Sequence, residues 1–244
     1  MFQESILHFV SKFYIKNKTN RSKLKKFRSL TAKVRQLRIP MYKNLFDMIH
    51  FRSYFVVLER MIPLSSPTTV FEWGPGLNTE LFSRNNIKVY SVEHHKKWYD
   101  IYEKNKPKNA ILIHSELRDD SFLEYPKEIL NVKEQVDLSF VDARCRAECI
   151  EYSKQKGVPV VIMHDSLHYE TMQSATDGAP PIINEHKLCK EGYHFYRYFV
   201  EIIDLRTIVL MDNEEIYKKT IEGFSDFYIV HGLTSKYDSM IRHI

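Results

Sequence analysis

The segment from Val70 to Thr79, with the sequence VFEWGPGLNT, constrains the fold more than any other stretch of the chain. A short apolar run ends at Gly74, and Gly76 follows two positions later, directly before a window that suits a helix. Glycines let the backbone turn sharply and approach a ligand closely, because they carry no Cβ. The pattern therefore predicts a buried strand, a glycine turn and a helix N-terminus, as in α/β sheets that bind nucleotide-type ligands.

The chain beyond Thr68 alternates short apolar runs with polar windows of helical length, which indicates a mostly parallel α/β sheet. Seven strands are predicted, over residues 68–72, 88–92, 110–114, 136–141, 158–163, 206–211 and 226–231. Helices are predicted over residues 78–85, 95–104, 121–130 and 145–156, and a further helical window, 212–225, can join the last two strands as an antiparallel edge pair. The main domain is expected to span residues 63–244, with an insertion at 164–205 over the substrate side of the sheet.

Residues 1–62 are predicted to form a basic, helical N-terminal extension. An amphipathic helix is expected over residues 2–15 and a second helix over 41–61, ended by Pro63 and Pro67. Residues 1–40 carry eleven Lys or Arg residues against the single acid Glu4, a net charge of +10, whereas the whole chain has +5. Such an arm suits contact with an anionic membrane surface or nucleic acid, and a solvated helical face is the alternative.

The composition excludes several classes of protein. No apolar run reaches the ~18 residues of a membrane span. The three cysteines, Cys145, Cys149 and Cys189, form no Cys-x-x-Cys pair, which favours reduced thiols. The first ten residues have no basic region followed by a long apolar stretch, so a secretory signal is not expected. The sequence predicts a cytoplasmic protein, with membrane-peripheral contact through residues 1–40 as an extension of that prediction.

The glycine turn departs from a dinucleotide-binding fingerprint at two positions. Thr79 stands where Gly-x-Gly-x-x-Gly has its third glycine, and Glu72 lies two residues ahead of Gly74. A carboxylate there repels a pyrophosphate and suits a cationic or zwitterionic ligand. The pattern Glu-x-Gly-x-Gly-x-x-Thr resembles the cofactor loop of class I S-adenosylmethionine-dependent methyltransferases. The resemblance covers roughly residues 68–231 and implies an α/β fold with a seven-stranded, mostly parallel, Rossmann-like methyltransferase sheet.

The resemblance also implies S-adenosyl-L-methionine as cofactor, S-adenosyl-L-homocysteine as product, and a set of binding residues. Glu93 ends the second predicted strand 19 positions after Gly74, where a carboxylate can accept hydrogen bonds from ribose hydroxyls. Dinucleotide enzymes use the same spacing, so it does not separate the two classes. The implied cofactor-binding residues are Glu72, Gly74, Pro75, Gly76, Asn78, Thr79, Glu93, His94, Ser115, Glu116, Leu117 and Asp142.

The ends of the fourth and fifth predicted strands carry the candidate catalytic residues Asp142, His164 and Asp165. By the resemblance, Asp142 orients the cofactor's amino group or the acceptor. His164 is the leading general base, because an ordinary imidazole pKa of ~6.5 suits removal of a hydroxyl proton near neutral pH. Asp165 can orient that imidazole or accept the proton itself. Alternatively, Asp165 caps the following helix and His164 packs beneath the insertion.

Arg144, Arg146, His168 and Tyr169 are the candidate substrate-binding residues. Two arginines directly after a strand can bind a carboxylate or phosphate through forked hydrogen bonds, and surface ion pairs with Glu148 or Glu151 are the alternative. Asp142 and Asp165 occupy strand ends that carry magnesium ligands in catechol-type O-methyltransferases. Ser166 stands where a third ligand would be an Asn or Asp, so no metal is expected. The adjacent His94 and His95 diverge by ~100° on a helix and suit no shared ion.

Together these features predict a methyltransferase that O-methylates a small molecule or a sugar or glycan intermediate bearing an anionic group, in a pathway such as polysaccharide biosynthesis. An RNA methyltransferase that uses the basic arm is an alternative. It is disfavoured because the chain has no Asn/Asp-Pro-Pro-Tyr/Phe motif and no RNA-binding signature. Two more hypotheses compete with these: a non-catalytic assembly module with this fold, and a nicotinamide-dependent oxidoreductase.

Overall fold

The computed structural model describes residues 54–116, 124–164, 166, 189–237 and 240. The chain divides into two compact units, residues 1–59 and 60–244. The predicted helix 2–15 and most of the predicted helix 41–61 lie outside the described residues. The first described helix, α1, spans Tyr54–Ser65 and passes through Pro63, where the sequence predicted its end. A proline so close to the C-terminus removes only one hydrogen bond of the helix, so the last turn still forms.

The remaining elements alternate along the chain. The strands are β1 Thr69–Trp73, β2 Lys88–Glu93, β3 Ala110–His114, β4 Leu138–Val141, β5 Val160–His164, β6 Tyr198–Ile202, β7 Thr207–Met211 and β8 Ile229–Leu233. The helices are α2 Leu77–Arg84, α3 Lys96–Asn105, α4 Glu124–Lys127, α5 Arg146–Gln155, α6 Cys189–Tyr193 and α7 Glu214–Gly223. A 3₁₀ turn, Glu128–Asn131, follows α4 and completes the described part of the predicted helix 121–130. No helix among these described residues is long and apolar enough to cross a membrane.

The strands form one sheet with the order β3-β2-β1-β4-β5-β7-β6-β8. Strands β1 to β5 are mutually parallel. Strand β7 is antiparallel to both β5 and β6, and β8 is antiparallel to β6. The predicted α/β class with a mostly parallel sheet is confirmed, with eight strands in place of the seven predicted.

The additional strand is β6, which lies inside the segment 164–205 that the sequence predicted to be an insertion. All five residues of β6 are buried, including Glu201. A charged residue inside an apolar run is typical of a surface segment, and for that reason the strand was not predicted. The prediction that the last two strands pair with each other was also wrong, because β6 lies between β7 and β8 and pairs with both.

Burial on both faces of the sheet explains the apolar strands. All residues of β1, β4, β5 and β7 are buried, as expected for strands covered by helices on either side. On one face, Trp73 and Met163 join Cys149 and Ile150 of α5 in a single core cluster. Each fully buried aliphatic side chain contributes roughly 1.5–3 kcal/mol relative to an exposed one. The core therefore fixes the relative positions of the strand ends.

The direction of the strand order reverses between β1 and β4. In doubly wound sheets, ligands bind in the crevice outside the carboxyl ends of the strands at such a switch point. In this sheet the residues at that edge follow Trp73 of β1 and Val141 of β4, which are partners in register. The glycine loop and Asp142 are therefore placed at the switch point by the topology itself.

Candidate cofactor and acceptor site

Gly74 lies at the point where the glycine loop meets the end of β4. Its φ is +95°, and a Cβ added there would lie 2.7 Å from the backbone oxygen of Asp142. Its N–H donates to the carbonyl of Val92 at 3.0 Å, and the N–H of Asp142 donates to the carbonyl of Trp73 at 3.2 Å. Only glycine fits this position, since both the backbone angle and the close approach exclude a side chain.

Glu72 is wholly buried and organises the loop from within. One carboxylate oxygen accepts a hydrogen bond from the side-chain amide of Asn78, and the other accepts one from the hydroxyl of Thr79. The Asn78 amide also donates to the carbonyl of Gly74 at 3.2 Å. Both oxygens of Glu72 thus bind side chains of the loop, whereas the sequence suggested that its carboxylate faces a ligand.

The backbone N–H groups of the two glycines are engaged within the protein. Gly76 donates to the hydroxyl oxygen of Thr79 at 3.0 Å, and Gly74 donates to Val92. A loop that binds pyrophosphate turns such N–H groups toward the anion at the helix N-terminus. Here Thr79 accepts from Gly76 and donates to Glu72, so the loop is closed on itself. Pro75, between the glycines, is buried.

Glu93 ends β2 beside this loop and is 7% exposed. Its Oε1 accepts a hydrogen bond from the backbone N–H of His95 at 2.7 Å, while burial raises the pKa of its carboxyl group. The Nδ1 atom of His94 lies 3.3 Å from the same oxygen. Burial, and next the charge of Arg144, lowers the pKa of His94 to about 4. The His94 imidazole is therefore neutral at neutral pH, and its contact with Glu93 is not an ion pair.

The loop after β3 lies next to Glu93. Ser115 is buried, and its N–H donates to the carbonyl of Glu93 at 3.1 Å. Glu116 is exposed. Leu117, which the resemblance also implied, lies outside the described residues. Within the described part of this loop, Ser115 is thus the residue whose backbone N–H bonds directly to Glu93.

His164 ends β5 next to the end of β4, because Val141 and Met163 are partners in register. The imidazole is 8% exposed, and its Nδ1 lies 3.4 Å from the hydroxyl oxygen of Thr207. That hydroxyl donates its proton to the carbonyl of Leu205 at 2.9 Å, so it must accept from His164. We infer from this pattern that Nδ1 of His164 carries a proton. Asp142, one strand away, is half-buried.

The two candidate arginines occupy different environments. Arg144 is half-buried in the turn after β4, and its charge acts on His94. Arg146 is buried at the start of α5 and shares the first turn with Glu148, which is also buried. Arg144 is consequently the arginine nearer to the Glu93 side of the crevice. Asp165, His168 and Tyr169 lie outside the described residues.

Tyr125 belongs to this region and was not anticipated from the sequence. It lies in α4, is wholly buried, and its ring centroid is 5.5 Å from that of His94 in an edge-to-face contact. Its carbonyl accepts a hydrogen bond from Trp73 Nε1 at 3.3 Å. These partners are 31 and 52 residues away along the chain, so no local pattern could have indicated the contact. Among residues 54–116, 124–164 and the other described positions, no group of three His, Cys, Asp or Glu side chains could hold a metal ion.

Comparison with known proteins leaves the family of the chain open. No protein-family model matches, and no curated protein matches. One similar solved structure is a methyltransferase-like protein from Silicibacter pomeroyi, with 15% identity and a TM-score of 0.36, covering 44% of this chain and 69% of that one. Another is a mutant of MtNAS, with 12% identity and a TM-score of 0.43, covering 84% of this chain and 74% of that one. Similarity this distant carries no argument about function.

Proposed function

We propose that this chain is an S-adenosylmethionine-dependent methyltransferase. The observation that supports it most is the closed glycine loop at the switch point, in which Glu72 is buried and the N–H groups of Gly74 and Gly76 have partners in the protein. Such a loop offers close backbone approach without the anion-binding N–H groups of a pyrophosphate site. It suits a nucleoside ligand with a cationic end.

The residues at the strand ends fit that cofactor. Glu93 is positioned beside the loop to accept hydrogen bonds from ribose hydroxyls, with Ser115 and His94 next to it. The backbone of Asp142 packs against Gly74, and we propose that its half-buried carboxylate binds the ammonium group of the cofactor. The glycine at position 74 lets the loop pack directly against the backbone of Asp142, which fixes the loop at the end of β4.

The strand ends also supply the groups that the reaction needs. When bound, S-adenosylmethionine would supply a methyl group to an acceptor oxygen and would leave as S-adenosylhomocysteine. His164 is proposed to remove the hydroxyl proton of the acceptor, while Thr207 holds the ring by accepting from Nδ1. Alignment of the reacting atoms can lower the barrier by roughly 7–11 kcal/mol in favourable cases.

We further propose that the acceptor is a small molecule or a sugar or glycan intermediate that carries an anionic group. Arg144 supports this assignment, because a half-buried guanidinium after β4 can bind a carboxylate or phosphate by forked hydrogen bonds. Polysaccharide biosynthesis is a pathway that such an acceptor suits. The basic residues 1–40 are proposed to contact an anionic membrane surface.

A nicotinamide-dependent oxidoreductase agrees less well with the sheet. Dinucleotide-binding sheets have the parallel order 3-2-1-4-5-6, whereas here the antiparallel strand β7 lies between β5 and β6. The buried carboxylate Glu72 behind the loop is also unfavourable for a pyrophosphate. The strand order disfavours a dinucleotide-binding sheet, and the buried Glu72 favours a ligand without phosphate groups.

Transfer of a labelled methyl group tests the proposed reaction. The full chain is incubated with methyl-labelled S-adenosylmethionine and a cell extract, and labelled products are identified by mass spectrometry. We expect a labelled small molecule or glycan, and its loss in His164→Ala with retained binding of S-adenosylhomocysteine. Cofactor binding without any labelled product would instead support a non-catalytic module, and labelled RNA would support the basic arm as an RNA-binding element.

A further inference from the structure

Tyr125 differs from the other buried tyrosines of the described sheet domain in the state of its hydroxyl group. Tyr196 donates to the carbonyl of Val158 at 3.0 Å, Tyr237 to Glu201 at 2.7 Å, and Tyr193 to the carbonyl of Ser166 at 3.4 Å. The Tyr125 hydroxyl is buried and has no hydrogen-bond partner in the described part of the chain. Folding has therefore removed this hydroxyl from water without replacing the hydrogen bonds that water made.

An unpaired buried hydroxyl is unfavourable by about 1–3 kcal/mol, so its presence calls for a partner other than the described residues. Its position indicates which partner. The ring of Tyr125 contacts His94, the residue after Glu93, and its backbone receives the indole N–H of Trp73, the residue before Gly74. Tyr125 is thus held between the end of β2 and the glycine loop, where the proposed cofactor binds.

The charges around the hydroxyl indicate its role. Burial raises the pKa of Tyr125 well above its ordinary range, and the carboxylates of Glu93 and Asp142 act in the same direction. The phenol therefore stays protonated and can donate a hydrogen bond. The nearby carboxylates Glu93 and Asp142 belong to opposite ends of the proposed cofactor site.

We propose that the Tyr125 hydroxyl donates a hydrogen bond to an oxygen or nitrogen lone pair of the bound cofactor, between Glu93 and Asp142. This inference rests on the proposed function, since it names a further residue of the same site. It makes Tyr125 a binding residue contributed by α4, a segment that lies far in sequence from both the glycine loop and β4. An internal water molecule that satisfies the hydroxyl is the competing explanation.

The substitution Tyr125→Phe separates these explanations, because it removes only the hydroxyl. Binding of S-adenosylhomocysteine is measured by isothermal titration calorimetry, and the stability of the ligand-free protein by urea unfolding. Binding is expected to weaken about 3- to 10-fold, the effect of one lost hydrogen bond, while the unfolding midpoint stays unchanged or rises. Tyr196→Phe is the matched control, since that hydroxyl has a backbone partner at Val158, before the start of β5. It should lower the midpoint and leave binding unchanged.

Each outcome has a distinct meaning. Equal affinity of the wild type and Tyr125→Phe overturns the inference and leaves the proposed function intact. A loss of stability in Tyr125→Phe as large as in Tyr196→Phe also overturns it, because the hydroxyl would then have a partner within the protein. If the wild type itself does not bind S-adenosylhomocysteine, the proposed function is wrong, and the inference is wrong with it.

Discussion

Strands β1 and β6 each contain a wholly buried glutamate, and the two differ in where their partners come from. Glu72 receives hydrogen bonds from Asn78 and Thr79, six and seven residues away. Glu201 receives one from Tyr237, which is 36 residues away. A buried carboxylate with local partners shapes a loop and leaves a pattern in the sequence. A buried carboxylate with remote partners joins elements that are distant in sequence and leaves no such pattern.

The two sites also differ in how completely the carboxylate is satisfied. Both oxygens of Glu72 have donors, whereas Oε1 of Glu201 has no partner of normal geometry among the described residues. Burial raises the pKa of Glu201, although the hydroxyls of Tyr237 and Ser166 lie close enough to oppose that shift. The loop after β1 therefore depends on both oxygens of Glu72 as acceptors, while β6 should tolerate a neutral amide in place of Glu201.

The largest effect is expected at the glycine that joins the loop to β4. Gly74→Ala places a Cβ 2.7 Å from the backbone oxygen of Asp142 at a φ of +95°. We expect a loss of roughly 2–4 kcal/mol in the free energy of unfolding, with cofactor binding weakened more than about tenfold. Gly157→Ala is the control, because its φ is +80° but no atom lies within 4 Å of the added Cβ. It should reduce stability by about 1–2 kcal/mol without affecting binding. Unchanged binding in Gly74→Ala would refute the placement of the cofactor at this loop.

The paired substitutions Glu72→Gln and Glu201→Gln test the comparison of the two glutamates directly. In Glu72→Gln, an NH₂ group that cannot accept a hydrogen bond replaces one oxygen that does. We therefore expect the free energy of unfolding, measured with urea at neutral pH, to fall by about 1–3 kcal/mol. Glu201→Gln keeps an acceptor for Tyr237 and removes the burial of a charge, so its stability should be equal to or above that of the wild type. The reverse order of stabilities would show that β6, and not the loop, requires an intact carboxylate.

Glu93→Gln is expected to weaken binding of S-adenosylhomocysteine about tenfold, because ribose hydroxyls lose a charged acceptor. Its fold should be retained, since the backbone N–H of His95 can still donate to the amide oxygen. Glu134→Gln provides the control. Glu134 is exposed and bonds to Lys88 at the opposite end of β2. An equal loss of affinity in both variants would contradict the assigned role of Glu93.

The smallest expected effect is on how the stability of the protein depends on pH. Burial places the pKa of Glu201 above its ordinary value of 4.5 in the folded protein. As the pH falls through that raised pKa, the folded state binds a proton that the unfolded state does not yet bind, so stability increases until about pH 4.5. Glu201→Gln should lack the part of this increase that comes from Glu201. The pKa of Glu93 is shifted in the same direction, but Glu93 contributes equally to both proteins. Parallel stability curves for the two proteins between about pH 8 and about pH 5 would show that Glu201 does not titrate in this range.

The sequence allowed β1 to β5 to be predicted because their signals are local. Each is a short apolar run, and the glycine loop and Glu93 follow at fixed spacings. The strand β6 was missed because a single buried glutamate, Glu201, made the run resemble a surface segment. What satisfies that glutamate is Tyr237, and no pattern within a strand-sized window connects the two.

The candidate site shows the same difference between contacts that are local in sequence and contacts that are remote. Glu72, Asn78 and Thr79 could be grouped from their spacing, since all three lie within a segment of eight residues. Thr207, which holds His164, and Tyr125, which contacts His94, lie 43 and 31 residues from their partners. Such contacts depend on the order of strands in the sheet, which the alternation of strands and helices does not specify.

Titration of the wild-type protein with S-adenosylhomocysteine and, separately, with NAD tests most directly whether the loop selects a nucleoside without phosphate groups. Calorimetry with the full chain is expected to show binding of S-adenosylhomocysteine, and none of NAD at concentrations up to about 1 mM. Binding of NAD together with no binding of S-adenosylhomocysteine would contradict the account, because the closed loop around Glu72 would then accommodate a pyrophosphate.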